Sequence, residues 1–390
     1  MAQQTLGEPR AHTHVCLVSA QATPNLLPLL DTATAPKRVV MLVSEDMQQR
    51  AQWLADVIRP RGIAVETLSI PDAWDMHGIS DLLLGWLDKQ PDGGRGVALN
   101  VTGGTKPMAM AAQQAFALAE LPVFYVHHER DELLWLTPRQ PPTPLNGRMR
   151  LEGFLHAHGW AVLERPSPRR LPAALRALTQ ELVAQASALE QGLGRLNWYA
   201  HQCEAAQDLV VEVDGRDLAH PGFAALLDKF ATAGALTFDG RRVRFADEEA
   251  RFFCNGGWLE EHVAAVAEEV RAAARIQDLA VNLKVRTLDN HLRGDAGSNE
   301  LDVAFLARHR LHIVECKTRS FRERHSAAEA VYKLDSLTAL GGLNTRGMLV
   351  SYRRLSDGDR QRAADLKIRT VVGGAIANLR NELLRWIGTR

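Results

Sequence analysis

Short apolar runs alternate with stretches of helical periodicity over the first ~140 residues. HVCLVSA (14–20), RVVMLVS (38–44), IAVETLSI (63–70), GVALNV (96–101), PVFYVHH (122–128) and LLWLT (133–137) read as strands. Helical segments lie between them, among them one through Gln52, Trp53, Leu54 and Ile58 and another over SDLLLGWLDK. Continuous apolar runs, rather than strict alternation, suit strands covered on both faces, so the pattern predicts a parallel, doubly wound Rossmann-like layer. TPRQPPTPLNG (137–147) then breaks all periodicity and reads as a linker. A mostly helical stretch follows, with LPAALRALTQELVAQASALEQGL (171–193) and FAALLDKFATAGA (223–235), and it ends in LTFDGRRVRF (236–245). Asp239-Gly240 marks a tight hairpin there. A helix followed by a charged hairpin resembles a piece of a winged helix, and equally a helical connector with a small ribbon. From GGWLEEHVAAVAEEVRAAA (256–274) a helix leads into strands, a further helix (326–340) and the strand GMLVSY (347–352), a second α/β domain. The expected division is 1–145, 146–250 and 251–390.

Charge and composition narrow this picture. At 390 residues the chain has room for two or three cores. Lys+Arg and Asp+Glu both number 46, so no global positive field marks a scaffold-type nucleic-acid binder, although a local grip stays open. No apolar stretch approaches a membrane span, and the N-terminus lacks a signal-peptide core. Cys16, Cys203, Cys254 and Cys316 form no CxxC pair, which speaks against a zinc site or disulfide framework. The expectation is a soluble, cytoplasmic protein with no membrane partner.

The segment NELDVAFLARHRLHIVECKTRS (299–320) holds two apolar runs with ionisable groups gathered at one end. Alternation along a strand puts Glu315 and Lys317 on one face and Cys316 on the other. A turn around Arg308–Arg310 would pair the strands and bring Asp302 beside Glu315. Two carboxylates held together out of water repel, and a divalent cation turns that penalty into binding energy. Oxygen ligands suit Mg²⁺ or Mn²⁺, and Lys317 stands where it can steady charge on a phosphate. A surface salt bridge of Lys317, worth only about 0–1 kcal/mol, would not explain why charges cluster at the ends of buried strands. His291, His309, His312 and His325 show no zinc-ligand spacing. Arg319, Arg322 and Arg324 suit backbone phosphates or plain solvation, and Tyr332 and Lys333 lie on the helix that follows.

In the first domain, NVTGGTKPMAMAA (100–112) is a glycine-rich turn opening a helix, and it matches neither GxxxxGK[ST] nor GxGxxG. Gly103 and Gly104 let backbone N–H groups approach a ligand, and Thr102, Thr105 and Lys106 add hydroxyls and a cation. The end of the first strand contributes Ser19, Gln21 and Asn25. Loops at the C-terminal ends of parallel strands are where such sheets bind ligands. A helix cap with a tight turn explains the loop alone equally well.

Asp302 followed by Glu315-x-Lys317 resembles the PD-(D/E)xK nuclease superfamily. That resemblance implies a mixed sheet with an acid–acid–lysine trio at one edge, catalysis and metal binding by Asp302 and Glu315, and assistance from Lys317. Members often add an acid from the preceding helix; GGWLEEHV offers Glu260 or Glu261, and the match of G-x-W-L-E favours Glu260. SAQATPNLLPLL (19–30) together with NVTGGTKPMAMAA resembles the CRISPR-associated Rossmann-fold (CARF) sensor domain. This implies a homodimer that binds a cyclic oligoadenylate, commonly cyclic tetra-adenylate, across its two-fold axis. The pair implies an ancillary nuclease of type III CRISPR defence, with a divalent metal cofactor and DNA or RNA as substrate. Single-stranded nucleic acid, or supercoiled DNA that opens locally, fits the small basic surface. Two readings stand beside it: a ligand-responsive regulator that binds nucleic acid through 223–245 with an inactive nuclease domain, and a ligand-independent restriction or repair nuclease.

Overall fold

The computed structural model describes residues 11–167, 170–220, 222–288, 298–318 and 327–388. In the N-terminal part the elements are β1 (Thr13–Leu17), α1 (Thr23–Leu30), β2 (Arg38–Val43), α2 (Gln48–Ile58), β3 (Ala64–Ser69), α3 (Met76–Leu87), β4 (Val97–Asn100), α4 (Lys106–Leu118), β5 (Val123–His127), β6 (Glu132–Thr137), β7 (Thr143–Pro144) and α5 (Leu151–Ala157). They build one seven-stranded sheet of order β3-β2-β1-β4-β5-β6-β7. β1 lies parallel to both β2 and β4, so the chain reverses its direction of winding between them. In such sheets the crevice at that reversal is the ligand position. Both β1 and β4 are buried throughout, as their continuous apolar runs require, whereas edge strand β3 is half exposed. Leu17, Leu42 and Leu99 meet Leu83 of α3 and Phe116 of α4 in the core.

The stretch 137–147, expected as an irregular linker, carries β7. Thr143 pairs with Leu133, and the Trp135 Nε1–H donates to Thr143 Oγ1 at 3.1 Å. Proline hides this strand from a periodicity reading, yet at the sheet edge Pro144 costs no ladder donor.

The chain then continues through β8 (Trp160–Glu164), α6 (Ala173–Ala184), α7 (Ala186–Ala206), β9 (Val210–Glu212), α8 (Gly215–Leu218), α9 (Phe223–Thr232), β10 (Leu236–Phe238), β11 (Arg242–Phe245), α10 (Glu248–Phe252), α11 (Trp258–Glu269), α12 (Arg271–Ala274), β12 (Ile276–Thr287), β13 (Ser298–Ala307), β14 (Arg310–Lys317), α13 (Ala327–Thr338), β15 (Arg346–Ser351), α14 (Asp357–Asp365), β16 (Arg369–Val372) and α15 (Leu379–Ile387). Six strands form a mixed sheet of order β16-β15-β14-β13-β12-β8. β13 and β14 are antiparallel, and β14, β15 and β16 run parallel. Contacts divide the described chain into two units: the parts of 1–162, 286–298 and 340–343, and the remainder. No helix among the described residues is long and apolar enough to cross a membrane.

The central residues build a small three-stranded sheet, β10-β11-β9, behind α7, α8 and α9, which is the order of a winged helix. Leu193, Leu227 and Phe230 belong to the same buried cluster as Trp258, Phe305 and Val314, so this segment packs into the core of the second unit. The exposed residues of α9 are Ala224, Ala225, Asp228 and Thr232, and its half-buried Lys229 is paired with Glu181. On the ribbon, Glu212 pairs with Arg242 at 2.9 Å and Arg241 at 3.5 Å.

A turn of π-helix over Phe253–Gly257 feeds α11. Gly256 has φ +103°, and a Cβ there would clash with Thr318 Oγ1. Thr318 in turn donates to the Asn197 amide oxygen at 3.0 Å, while the Asn197 amide nitrogen donates to Cys254 O at 2.9 Å and Leu193 O at 3.1 Å. α7, the start of α11 and the end of β14 are thereby pinned at one point. Gly256→Ala is expected to destabilise the protein by about 1–3 kcal/mol, measured as a lowered denaturation midpoint. Wild-type stability in this variant would show that the pin carries no strain.

Candidate functional site

Val303↔Val314 and Ala307↔Arg310 fix the β13–β14 register. The turn between them holds Arg308 at φ +51° and His309 at φ +56°, the paired left-handed geometry of a two-residue hairpin loop. Extending the register by one residue sets Asp302 opposite Glu315. Asp302 Oδ2 accepts the Cys316 N–H at 2.7 Å, which fixes this carboxylate at the mouth of the hairpin. The Cys316 side chain turns into the core, where burial raises its thiol well above the ordinary range and keeps it inert.

Glu315 is 0 % exposed. A bare carboxylate there would cost several kcal/mol, and two ammonium groups meet it. Lys317 Nζ lies 2.6 Å from Oε1, and Lys333 Nζ of α13 lies 2.8 Å from both oxygens. Burial works against the Lys317 ammonium, yet Glu315 and Asp302 together raise its pKa above the ordinary lysine value. Glu260, on the first turn of α11, stands within electrostatic reach of Asp302 and Lys317 and hydrogen-bonds Asn282. Burial, then the charge of Asp302, pushes the Glu260 carboxyl well above the usual carboxylate range. Asp302 is raised for the same reasons, with burial first and Glu315 next. Glu260 Oε2 is buried with no hydrogen-bond partner.

The structure therefore brings together Asp302, Glu315, Lys317 and Glu260, the residues expected from the sequence. Glu261 instead lines a separate cleft of about 610 Å³ with Arg170, Asp247 and Phe252. Sequence reasoning placed Lys333 only as a residue near the site, and it missed Asn282. Asn282 sits at φ +51° inside β12, a local break in the strand that no periodicity signals. His312 is a core residue between Phe305 and Trp386, stacked on the first at 5.0 Å. His309 faces Gln277 at 3.0 Å. His291, His325, Arg319, Arg322 and Arg324 lie outside the described residues. Among the described residues, no three His, Cys, Asp or Glu side chains converge as a ready-made metal cage. Asp302, Glu315 and Glu260 gather at the hairpin mouth, with the oxygens of Glu315 facing the two ammonium groups.

In the first unit, a cleft of about 550 Å³ opens at the C-terminal ends of β1, β2, β3 and β4. Ser19, Gly104 and Thr105 line it, and the structure adds Ser44, Asp46 and Trp74, which the sequence did not single out. Lys106 is exposed at the start of α4. Gly103 presses so close to Leu17 O that a Cβ would overlap it, which explains the glycine by packing. Asn25 and Thr102 use their hydrogen-bonding groups inside the fold. Asn25 Nδ2–H donates to Leu17 O at 2.9 Å, and its Oδ1 accepts from Asn100 at 3.1 Å. Thr102 Oγ1–H donates to Asn100 Oδ1 at 2.6 Å and accepts the Val126 N–H at 2.8 Å. These two residues lock the β1 and β4 loops together. Gln21 Nε2 is buried without a partner, and Gly342 lies against it.

Comparison with known proteins identifies both domains. Residues 13–154 match the family model of the Card1 CARF domain, and 247–389 match that of the Card1-like endonuclease domain. No curated protein sequence matches the chain. The crystal structure of protein VC1899 from Vibrio cholerae is similar at a TM-score of 0.89 and 29% identity, over 97% of this chain and 99% of that one. The structure of Can2 from Sulfobacillus thermosulfidooxidans, in complex with cyclic tetra-adenylate, is similar at a TM-score of 0.78 and 25% identity, over 97% and 98%. A type III CRISPR defence DNA nuclease activated by cyclic oligoadenylate shares the fold at a TM-score of 0.55 and 20% identity, over 87% of this chain and 45% of that one. The chain belongs to the CRISPR-associated ancillary nucleases that join a Card1 CARF domain to a Card1-like endonuclease domain.

Proposed function

We propose that the protein is a homodimeric, cyclic-tetra-adenylate-activated, metal-dependent endonuclease of type III CRISPR defence, with a PD-(D/E)xK site built from Glu260, Asp302, Glu315 and Lys317. The observation that carries this reading is the pair of raised, mutually repelling carboxylates at Glu260 and Asp302, beside the buried Glu315–Lys317 pair, inside the segment matching an endonuclease family. The unpartnered Glu260 Oε2 and that repulsion fit a bound cation, with Asp302, Glu260 and Glu315 as its oxygen donors. A divalent ion held there supplies charge neutralisation and acidifies a water. Lys317, its pKa raised, stays protonated at neutral pH and acts as a fixed positive charge toward the phosphate, not as a general base.

At the sensor, Ser19, Gln21, Gly103, Gly104, Thr105 and Lys106 face the ligand in this reading, with Asn25 and Thr102 holding the loops. Binding of cyclic tetra-adenylate by the similar Can2 supports the ligand class. Met110 and Leu118, exposed on the helix that this loop opens, supply an apolar face for a second copy. Single-stranded or locally opened nucleic acid is the substrate class. Lys229 of α9 is paired with Glu181, and Arg241 and Arg242 of the ribbon are paired with Glu212, which leaves the winged helix few free cations for a duplex and disfavours the regulator reading.

Three outcomes follow. Cleavage of single-stranded DNA, single-stranded RNA and supercoiled plasmid is expected only with Mn²⁺ or Mg²⁺ plus cyclic tetra-adenylate, and not by Glu315→Ala; cleavage without ligand would discard the switch. Lys317→Met is expected to slow single-turnover cleavage by about 10²–10³-fold at every pH from 6 to 9, whereas a loss confined to high pH would make Lys317 a base. The third concerns stability. Carboxyls whose pKa is raised on folding stabilise fully below their unfolded value of about 4, and lose that contribution as pH rises through the folded one. The metal-free wild type is therefore expected to lose melting temperature from pH 5 to pH 8 more steeply than Glu260→Gln. Parallel curves would mean that Glu260 ionises freely.

A further inference from the structure

The absence of a ready-made cage among the described residues has a specific cause in the geometry. A cation shared by Asp302 and Glu315 competes for Glu315 with two ammonium groups: Oε1 meets both lysines, and Oε2 meets Lys333 alone. The two lysines are not equivalent. Lys317 lies two residues along the same strand as Glu315, and its carbonyl accepts the Tyr352 N–H at 2.9 Å, so its backbone is fixed beside its partner. Lys333 reaches Glu315 from a separate element, the helix α13, and bridges both oxygens at 2.8 Å. Its charge also acts on Asp302, drawing that carboxyl's pKa downward against burial and Glu315. One ammonium thus serves both hairpin carboxylates, which is the electrostatic task of a divalent ion at this place.

We propose that Lys333 is a resident counter-cation of the nuclease site: it holds Glu315 while the site is metal-free and must release it for a divalent ion to be bound by Asp302 and Glu315. This rests on the metal-dependent reading of the site. Lys333 is a positioning residue in this scheme, acting through Glu315. The exchange moves no bonds. One ammonium leaves two charge-assisted hydrogen bonds, and the ion takes the vacated oxygen. Lys317 remains on Glu315 throughout, so a variant lacking the Lys333 charge keeps its buried carboxylate paired.

The test is titration of the full chain with Mn²⁺ alone, without activator or nucleic acid, followed by calorimetry. Wild type, Lys333→Met, Glu315→Gln and the double variant are compared, with Lys333→Arg as a charge-retaining control. Lys333→Met is expected to bind Mn²⁺ about tenfold more tightly or better, and Lys333→Arg close to wild type. In the Glu315→Gln background the gain should vanish, because no carboxylate is left to compete for. Equal tightening in both backgrounds would reduce the effect to a general loss of positive charge and overturn the proposal. Mn²⁺ binding that depends on Glu315 but ignores Lys333 would overturn it while leaving the metal reading intact. No Mn²⁺ binding by any of the five proteins would overturn the metal reading and the proposal with it.

Discussion

A carboxylate fully removed from water, Glu315, sets the terms for everything around it. Desolvation of such a group costs several kcal/mol unless fixed positive charge meets it. Here strand and helix each supply an ammonium, and the strand one cannot turn away because alternation along β14 puts Glu315 and Lys317 on the same face. The demand then spreads outward. Asp302 must be held at the hairpin mouth, which the Cys316 N–H does, and α11 must arrive at an angle that brings Glu260 against Asp302. That angle depends on the close approach of Gly256 to Thr318, and Thr318 is anchored by Asn197. The site is a set of charges kept uncomfortably close by packing that the charges themselves could not sustain.

This explains the role of the central residues. The winged-helix segment has the topology of a nucleic-acid reader, but several of its cations are tied up with Glu181 and Glu212, and its helices fill the same core as β13 and β14. Trp258 meets Tyr352 edge to face at 5.3 Å, and Asn197 on α7 reaches the end of β14. The segment packs against the strands that carry Asp302 and Glu315. A core position in the buried cluster, such as Leu227 or Phe230, thus bears on how β13 and β14 hold their carboxylates through packing.

Legibility in the sequence follows the range of the forces involved. The strands of the first sheet were readable because burial on both faces leaves continuous apolar runs, and the hairpin because two-residue periodicity and a short turn fix its register. Asp302, Glu315 and Lys317 came with that register. Lys333 did not, since which way a helix side chain points depends on how the helix is rotated against the sheet, a tertiary fact. Asn282 was invisible because a left-handed residue inside a strand leaves no periodic trace. Asn25 and Thr102 show the opposite difficulty. Their side chains are of ligand-binding type, but whether a donor is available or already used depends on Asn100, 75 residues from Asn25 along the chain. Residue type is legible in a sequence, whereas saturation of its hydrogen bonds is not.

A ligand shifts a conformational equilibrium only through contacts that differ between the two states. In this chain α13 carries Lys333 on Glu315, and the residues directly after it, Leu340–Leu343, fold with the first unit, where Gly342 lies against the unpartnered amide of Gln21. Gln21 belongs to the loop that closes β1, beside Ser19, which lines the cleft. Midway along α13 Lys333 meets Glu315, while the repulsion between Glu260 and Asp302 is relieved by a bound proton or by another cation. The Lys333–Glu315 pair is one of several contacts that seat α13, whose Ala330, Val331, Leu334 and Leu337 are buried, so the ion pair can exchange partners while the helix keeps its apolar seat.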